Sequence, residues 1–151
     1  MANGWTNKGK AHVLGIAFRN ATEKTNYYVA LVTSATTPVA DINTLSELTE
    51  IAVGNGYTAG GYQLTPNSTD FDVLTEDDAN DKGLVQIKDI SWTASGGSIP
   101  GSGAGARYAV LTDDNVTVDS REVYVWWDLS SDRTATTGQT MSLQDCELSI
   151  A

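Results

Sequence analysis

The chain is poor in the residues that build covalent and metal-based chemistry. Cys146 is its only cysteine, which excludes an internal disulfide framework, and His12 is its only histidine, which leaves little for a histidine-based metal or acid–base site. Positive charge is scarce too. Nine Lys and Arg stand against nineteen Asp and Glu, a net charge of −10, so a nucleic-acid backbone is not expected as a partner. No apolar run approaches the roughly 20 residues that cross a bilayer, and no membrane partner is expected. The opening Met1-Ala2-Asn3-Gly4-Trp5 lacks the charged head and apolar run of a secretory signal, so no export address is expected either.

What is present suffices for one folded body. With 151 residues, 40% of them apolar and 19% charged, the chain reads as a single domain that buries about 70% of its unfolded surface. Its charge is unevenly spread. Lys8, Lys10, Arg19 and Lys24 stand against Glu23 alone before residue 41, and the acids follow. Residues 1–26 therefore read as a basic segment suited to pack on the chain's own acidic body, or to serve as a docking arm on an acidic neighbour.

Apolar periodicity predicts two short helices in the N-terminal third. Ala11, Leu14, Ala17 and Phe18 recur at helical spacing between Lys8 and Phe18, with Gly15 as a weak point. Leu45, Leu48, Ile51 and Ala52 form a second stripe behind a capping box of Thr44 and Glu47, with Gly54 as the stop. Between the two, Tyr27 to Thr33 reads as a buried strand, and Gly54 to Tyr62 as a tight loop leading into a strand near Tyr62–Leu64.

After residue 70 the pattern is β throughout. Phe71 and Val73 alternate with acids ahead of a polar loop from Thr75 to Gly83. Val85 and Ile87 share one parity and Ile90 and Trp92 the other, which predicts a bulge near Lys88-Asp89 in one long strand. A second bulge is expected where Met141 and Leu143 give way to Cys146, Leu148 and Ile150. Between these lie a Gly/Ser-rich loop from Ser95 to Gly105, a strand from Tyr108 to Thr112 and another from Val123 to Leu129. In the last of these, Val123, Val125, Trp127 and Leu129 share one face, which would turn Tyr124 and Trp126 outward. The expected fold is mainly β, an antiparallel sandwich or jelly-roll-like domain.

Motifs for chemistry fail on inspection. Asp78 to Asp89 copies the spacing of a calcium loop, but Lys82 stands where an oxygen ligand is needed and Asp89 where a bidentate Glu is usual. The glycine-rich loop lacks the Gly-Lys-Ser/Thr ending and following helix of a phosphate cradle. Asp70 and Asp72 share a strand face and do not flank a sugar bond. No catalytic residue, cofactor or metal is expected. Two outward aromatics, Tyr124 and Trp126, would suit a protein contact or a sugar platform.

Three blocks carry a resemblance: Tyr28-Val29-Ala30-Leu31-Val32-Thr33-Ser34-Ala35; Thr44 to Ile51 with Gly56-Tyr57 and Gly60-Gly61-Tyr62; and Ile90-Ser91-Trp92-Thr93-Ala94 with Ala106 to Leu111 and Gly138-Gln139-Thr140. Together they are similar to a recurring pattern in small virion structural proteins of tailed bacteriophages. The resemblance implies a non-enzymatic protein of the virion, first a capsid decoration (cement) subunit on the head surface, alternatively a tail-fibre, tail-tip or carbohydrate-binding adhesion module. It implies the major capsid protein of the same phage as partner and a homo-oligomer, expected to be a trimer. Lys8, Lys10, Arg19, Tyr124 and Trp126 are the interface candidates. The chain shows no heptads or other repeats of a fibre shaft, which favours a standalone capsid-binding unit.

Overall fold

The computed structural model describes residues 1–151. The chain is mainly β, with antiparallel sheets in layers consistent with a β-sandwich. Its central sheet has five strands in the order β1 (Asn3–Trp5), β8 (Val123–Arg133), β7 (Ala106–Thr112), β2 (Tyr27–Val32) and β3 (Tyr62–Leu64). A second layer holds a three-stranded sheet, β10 (Cys146–Ile150), β5 (Lys82–Ile87) and β4 (Val73–Asp77), beside a two-stranded one, β6 (Ile90–Thr93) and β9 (Thr140–Leu143).

The central sheet is buried on both faces, as the largely apolar β2 requires. Val29, Leu31, Ala109, Leu111, Val125 and Trp127 share the main core with Ile87, Ile90, Trp92, Leu143, Cys146 and Leu148 of the second layer. Ala30, Val32, Val110 and Val123 meet Ile42, Leu45 and Leu48 on the opposite face. Indole N–H groups tie the layers together: Trp5 donates to the Ser149 carbonyl and Trp127 to that of Glu147, both at 2.8 Å. These bonds cover the outer edge of β10. The β4 edge stays open.

The two predicted bulges are one feature. Ile87 pairs with Cys146 and Ile90 with Leu143, so the register of β5–β6 against β9–β10 is unchanged across the interruption. A bulge inserts a residue on one side and shifts register. Here residues 88–89 and 144–145 leave the ladder together, and the core-facing parity reverses on both strands at the same level.

One helix forms where two were expected. α1 (Asn7–Arg19) is capped by Thr6, whose Oγ1 accepts from Gly9 N–H at 2.9 Å and donates to the Val123 carbonyl at 2.6 Å. The second stripe makes only a 3-10 turn at Leu45–Glu47. Glu47 does cap it, accepting from the backbone of Thr44 and Asn43 at 2.9 and 2.8 Å. The three-residue spacing of Leu45, Leu48 and Ile51 then serves a tight turn that runs into extended chain: Ile51 N–H donates to the Leu31 carbonyl beside β2. A helix would have kept these side chains on one stripe. Instead Leu45 and Leu48 enter one core and Ile51 the other.

The polar stretch expected as a loop from Thr75 to Gly83 is a hairpin, with β4 running to Asp77 and β5 starting at Lys82. The glycine-rich loop is pinned at its middle, where Ile99 is fully buried and exchanges two 2.8 Å backbone bonds with Ala135, while Gly101 to Ala104 are exposed.

A candidate docking groove beside the helix

Helix α1 lies against β8 because Gly9 removes the side chain that would separate them: a Cβ there would overlap the backbone of Tyr124. His12, Val13 and Ile16 follow Gly9 on the inward side. This reverses the expected orientation, for Ala11, Leu14, Ala17 and Phe18 face solvent. The helix is apolar on most of its circumference, so periodicity alone did not single out the packed face.

Between α1 and the β10–β5–β4 sheet runs an apolar groove with a cavity of about 410 Å³, lined among others by Val13, Phe71, Leu74, Leu84, Val85 and Leu148. A second cavity of about 340 Å³ continues it past Lys10, Leu14 and Ile150. On β4, Leu74 and Glu76 share the groove-facing side by alternation, opposite Val85 and Gly83 of β5.

The inner end of the groove is polar but closed upon itself. His12 stacks on Tyr124 and shares a 2.8 Å hydrogen bond between Nε2 and the Tyr27 hydroxyl. Tyr124 donates to Glu122 Oε2 at 3.1 Å, and Lys8 Nζ reaches Glu122 Oε1 at 2.9 Å. Burial lowers the His12 pKa, aided by the Lys24 charge, and pushes both phenols up; the Lys8 hydrogen bond holds Glu122 down. No buried side-chain nitrogen or oxygen lacks a partner. The groove therefore presents apolar surface rather than free donors, which suits docking of another apolar surface.

Searches of protein-family models, curated proteins and solved structures found no match.

The interface candidates separate on geometry. Lys10 and Arg19 are exposed and form no ion pair, with Lys10 on the groove. Lys8 is tied to Glu122, and Lys24 to Asp113 at 3.2 Å, so half of the basic segment's cations are spent on the chain's own acids. The segment is built into the body through β1 and α1 and does not extend as an arm. Tyr124 is not outward. A register shift between Leu111 and Thr112 places a bulge at this point of β8, sends Val123 to the opposite core and turns Tyr124 into the main one, where it is 2% exposed. Trp126 is half-buried, packed where any side chain at Gly4 would sit. The paired aromatic platform suggested for sugar binding is not formed.

Other groups singled out in the sequence are structural. Asp70 is buried, with Lys88 Nζ at 2.6 Å from Oδ1 and Thr65 N–H donating to Oδ2 at 2.7 Å. Cys146 is buried, which pushes its thiol up to about 12. Leu74 and Phe18 were missed as surface residues. For Leu74 the signal was present: it sits on the opposite parity from Phe71 and Val73, the parity shared with Asp72 and Glu76.

Proposed function

We propose that the chain is a structural subunit of a tailed-bacteriophage particle, a capsid decoration protein that binds the assembled head and stabilises it. The observation that carries this reading is the gathering of exposed apolar residues, Leu14, Leu74 and Ile150, around one groove on an otherwise acidic β body. An apolar face of this kind serves contact with another macromolecule. The resemblance of the β2, Thr44–Tyr62 and Ile90–Leu111 blocks to small virion proteins supplies the kind of assembly. A jelly-roll-like topology belongs to the same reading, supported by the chain's repeated crossing between layers, from β3 to β4, β6 to β7 and β8 to β9.

A subunit that binds the assembled shell and not its free building blocks shifts the equilibrium toward the shell by its binding free energy, repeated at every site. The test is co-sedimentation of the purified protein with mature heads of the phage that encodes it, and with unassembled capsid protein. Saturable binding to heads alone supports the proposal. Binding to host polysaccharide with none to heads would replace it with the adhesion reading.

A further inference from the structure

The three-stranded sheet has one guarded edge and one bare one. Beside β10, the indoles of Trp5 and Trp127 and the side-chain amide of Asn3 donate to the Ser149 and Glu147 carbonyls, which takes that edge out of use. Beyond its ladder with β5, the β4 backbone hydrogen-bonds only within its own hairpin: the Thr75 hydroxyl donates to the Glu76 carbonyl at 3.1 Å, and Asn80 N–H to the Asp77 carbonyl. The outward N–H and C=O groups of β4 are therefore open to a further strand.

The side chains along this edge define what such a strand carries. By register, Leu148, Val85 and Leu74 form one row across the sheet, and exposure climbs along it from 8% at Leu148 to 82% at Leu74. The row ends on an apolar side chain with no neighbour on its outer side. Glu76 follows Leu74 on the same face, and Asp72, Asp78 and Asp81 stand just beyond the ends of the strand. All four acids are exposed and none forms an ion pair. No Lys or Arg occurs between Asp70 and Asp81.

We propose that the β4 edge accepts an extended segment of another protein as a fourth strand, one in which an apolar residue is flanked on the same face by Lys or Arg. Alternation sets the apolar residue beside Leu74 and a basic one, two positions along, beside Glu76. A second basic residue on the other flank meets Asp72. Backbone hydrogen bonds hold such a strand, and the side-chain pattern selects it. The same acids refuse a second copy of this chain. Two β4 strands paired antiparallel about a two-fold axis set Asp72 against Glu76 when centred on Leu74, and Asp72 against Asp78 when centred on Thr75. Centred on Glu76, they set that residue against itself, and like charges directly opposite are destabilising. The net charge of −10 adds a general attraction for a basic segment. The inference is independent of the virion reading, because it requires only a protein partner with such a segment, whatever assembly that partner belongs to.

A fluorescently labelled peptide with the core Lys-Thr-Val-Thr-Lys, titrated into the full chain, tests this. Saturable binding is expected, and amide exchange in the chain should slow at alternate residues between Val73 and Asp77, those whose N–H groups point away from β5. Two versions of the peptide, N-methylated on alternate residues, separate strand addition from charge attraction. The version whose free amides face β4 should bind and the other should not. Glu76→Lys should weaken binding by about fivefold or more. Its thermal melt should be unchanged, because the side chain is exposed. Absence of binding up to about 1 mM peptide would overturn the proposal. So would equal binding of the two N-methylated peptides, exchange on β4 that does not slow, or a chain that pairs with itself through β4. None of these readouts involves phage heads, so their failure removes this inference and leaves the functional reading standing.

Discussion

The imidazole of His12 lies flat on the ring of Tyr124, with centroids 4.5 Å apart and planes 8° from parallel. This contact joins α1 to the central sheet, and with the 2.8 Å bond to the Tyr27 hydroxyl it holds the imidazole partly out of water. Burial lowers its pKa, so the folded chain binds a proton there less readily than the unfolded chain. Stability should then rise with pH through the window just below the ordinary histidine value, and fall as pH drops through about 6.5. Thermal melts between roughly pH 5 and 8 should show this slope in the wild type and lose it in His12→Phe. An unchanged slope would place the titration elsewhere.

Tyr57 sits in the glycine-rich stretch after Ile51 yet is 1% exposed. Its hydroxyl accepts from Leu31 N–H at 2.9 Å and donates to Glu50 Oε1 at 2.7 Å, an oxygen that also takes the Gly60 N–H at 2.6 Å. Tyr57→Phe keeps the ring but strands a strand amide and removes a donor from a carboxylate whose pKa burial already raises. The expected cost is about 2–3 kcal/mol, read as a lower denaturation midpoint with an unchanged slope.

Much of the β framework was legible in the residues because burial on a known face leaves parity in the sequence. β2 could be read from its apolar run, and the reversal of parity from Ile87 to Ile90 and from Leu143 to Cys146 marked where the second layer turns over. What parity could not show was that the two reversals are opposite each other, since pairing is a long-range fact. Exposed strands leave a weaker trace: β4 reads as a polar loop from Thr75 onward because there only its backbone pairing with β5 makes it a strand. The orientation of α1 was hidden for the opposite reason, apolar residues lying on both of its sides. The deciding residue was Gly9, whose importance is visible only with Tyr124 beside it. The groove was therefore out of reach, although Lys10 on its rim was not.

The Asp70–Lys88 pair lies where β5 gives way to β6, and Lys88 N–H also donates to the Asp70 carbonyl at 3.0 Å. The Lys88 hydrogen bond, with that from Thr65, holds the Asp70 carboxyl below the usual carboxylate range. A depressed acid contributes stability above its unfolded pKa and loses it as pH falls from about 4 through the folded value. Asp70→Asn should cost about 2 kcal/mol at neutral pH, below the figure for a fully buried pair because the lysine is partly solvated. The acid limb of the stability curve should be shallower in the variant, measured by denaturation at pH values from neutral down to about 2. Equal losses for variant and wild type across that range would mean that the pair is not the acid-sensitive element.

Two glycines in α1 give opposite expectations for the same substitution. Helix propensity alone favours alanine over glycine by about 1 kcal/mol at either position. At Gly15 the added methyl would meet only the Ala21 side chain at 3.4 Å, so Gly15→Ala should stabilise the chain by about 0.5–1 kcal/mol. At Gly9 it would overlap the carbonyl carbon and oxygen of Tyr124, backbone atoms held in β8 that cannot step aside. The helix must lift instead, stretching the Thr6 cap and the His12–Tyr124 stack, and overpacking of this kind costs about 1–3 kcal/mol beyond any propensity gain. Gly9→Ala should therefore lower the melting temperature while Gly15→Ala raises it. If both substitutions raised it, α1 would not be seated on β8 through this contact, and the groove along its flank would lose one wall.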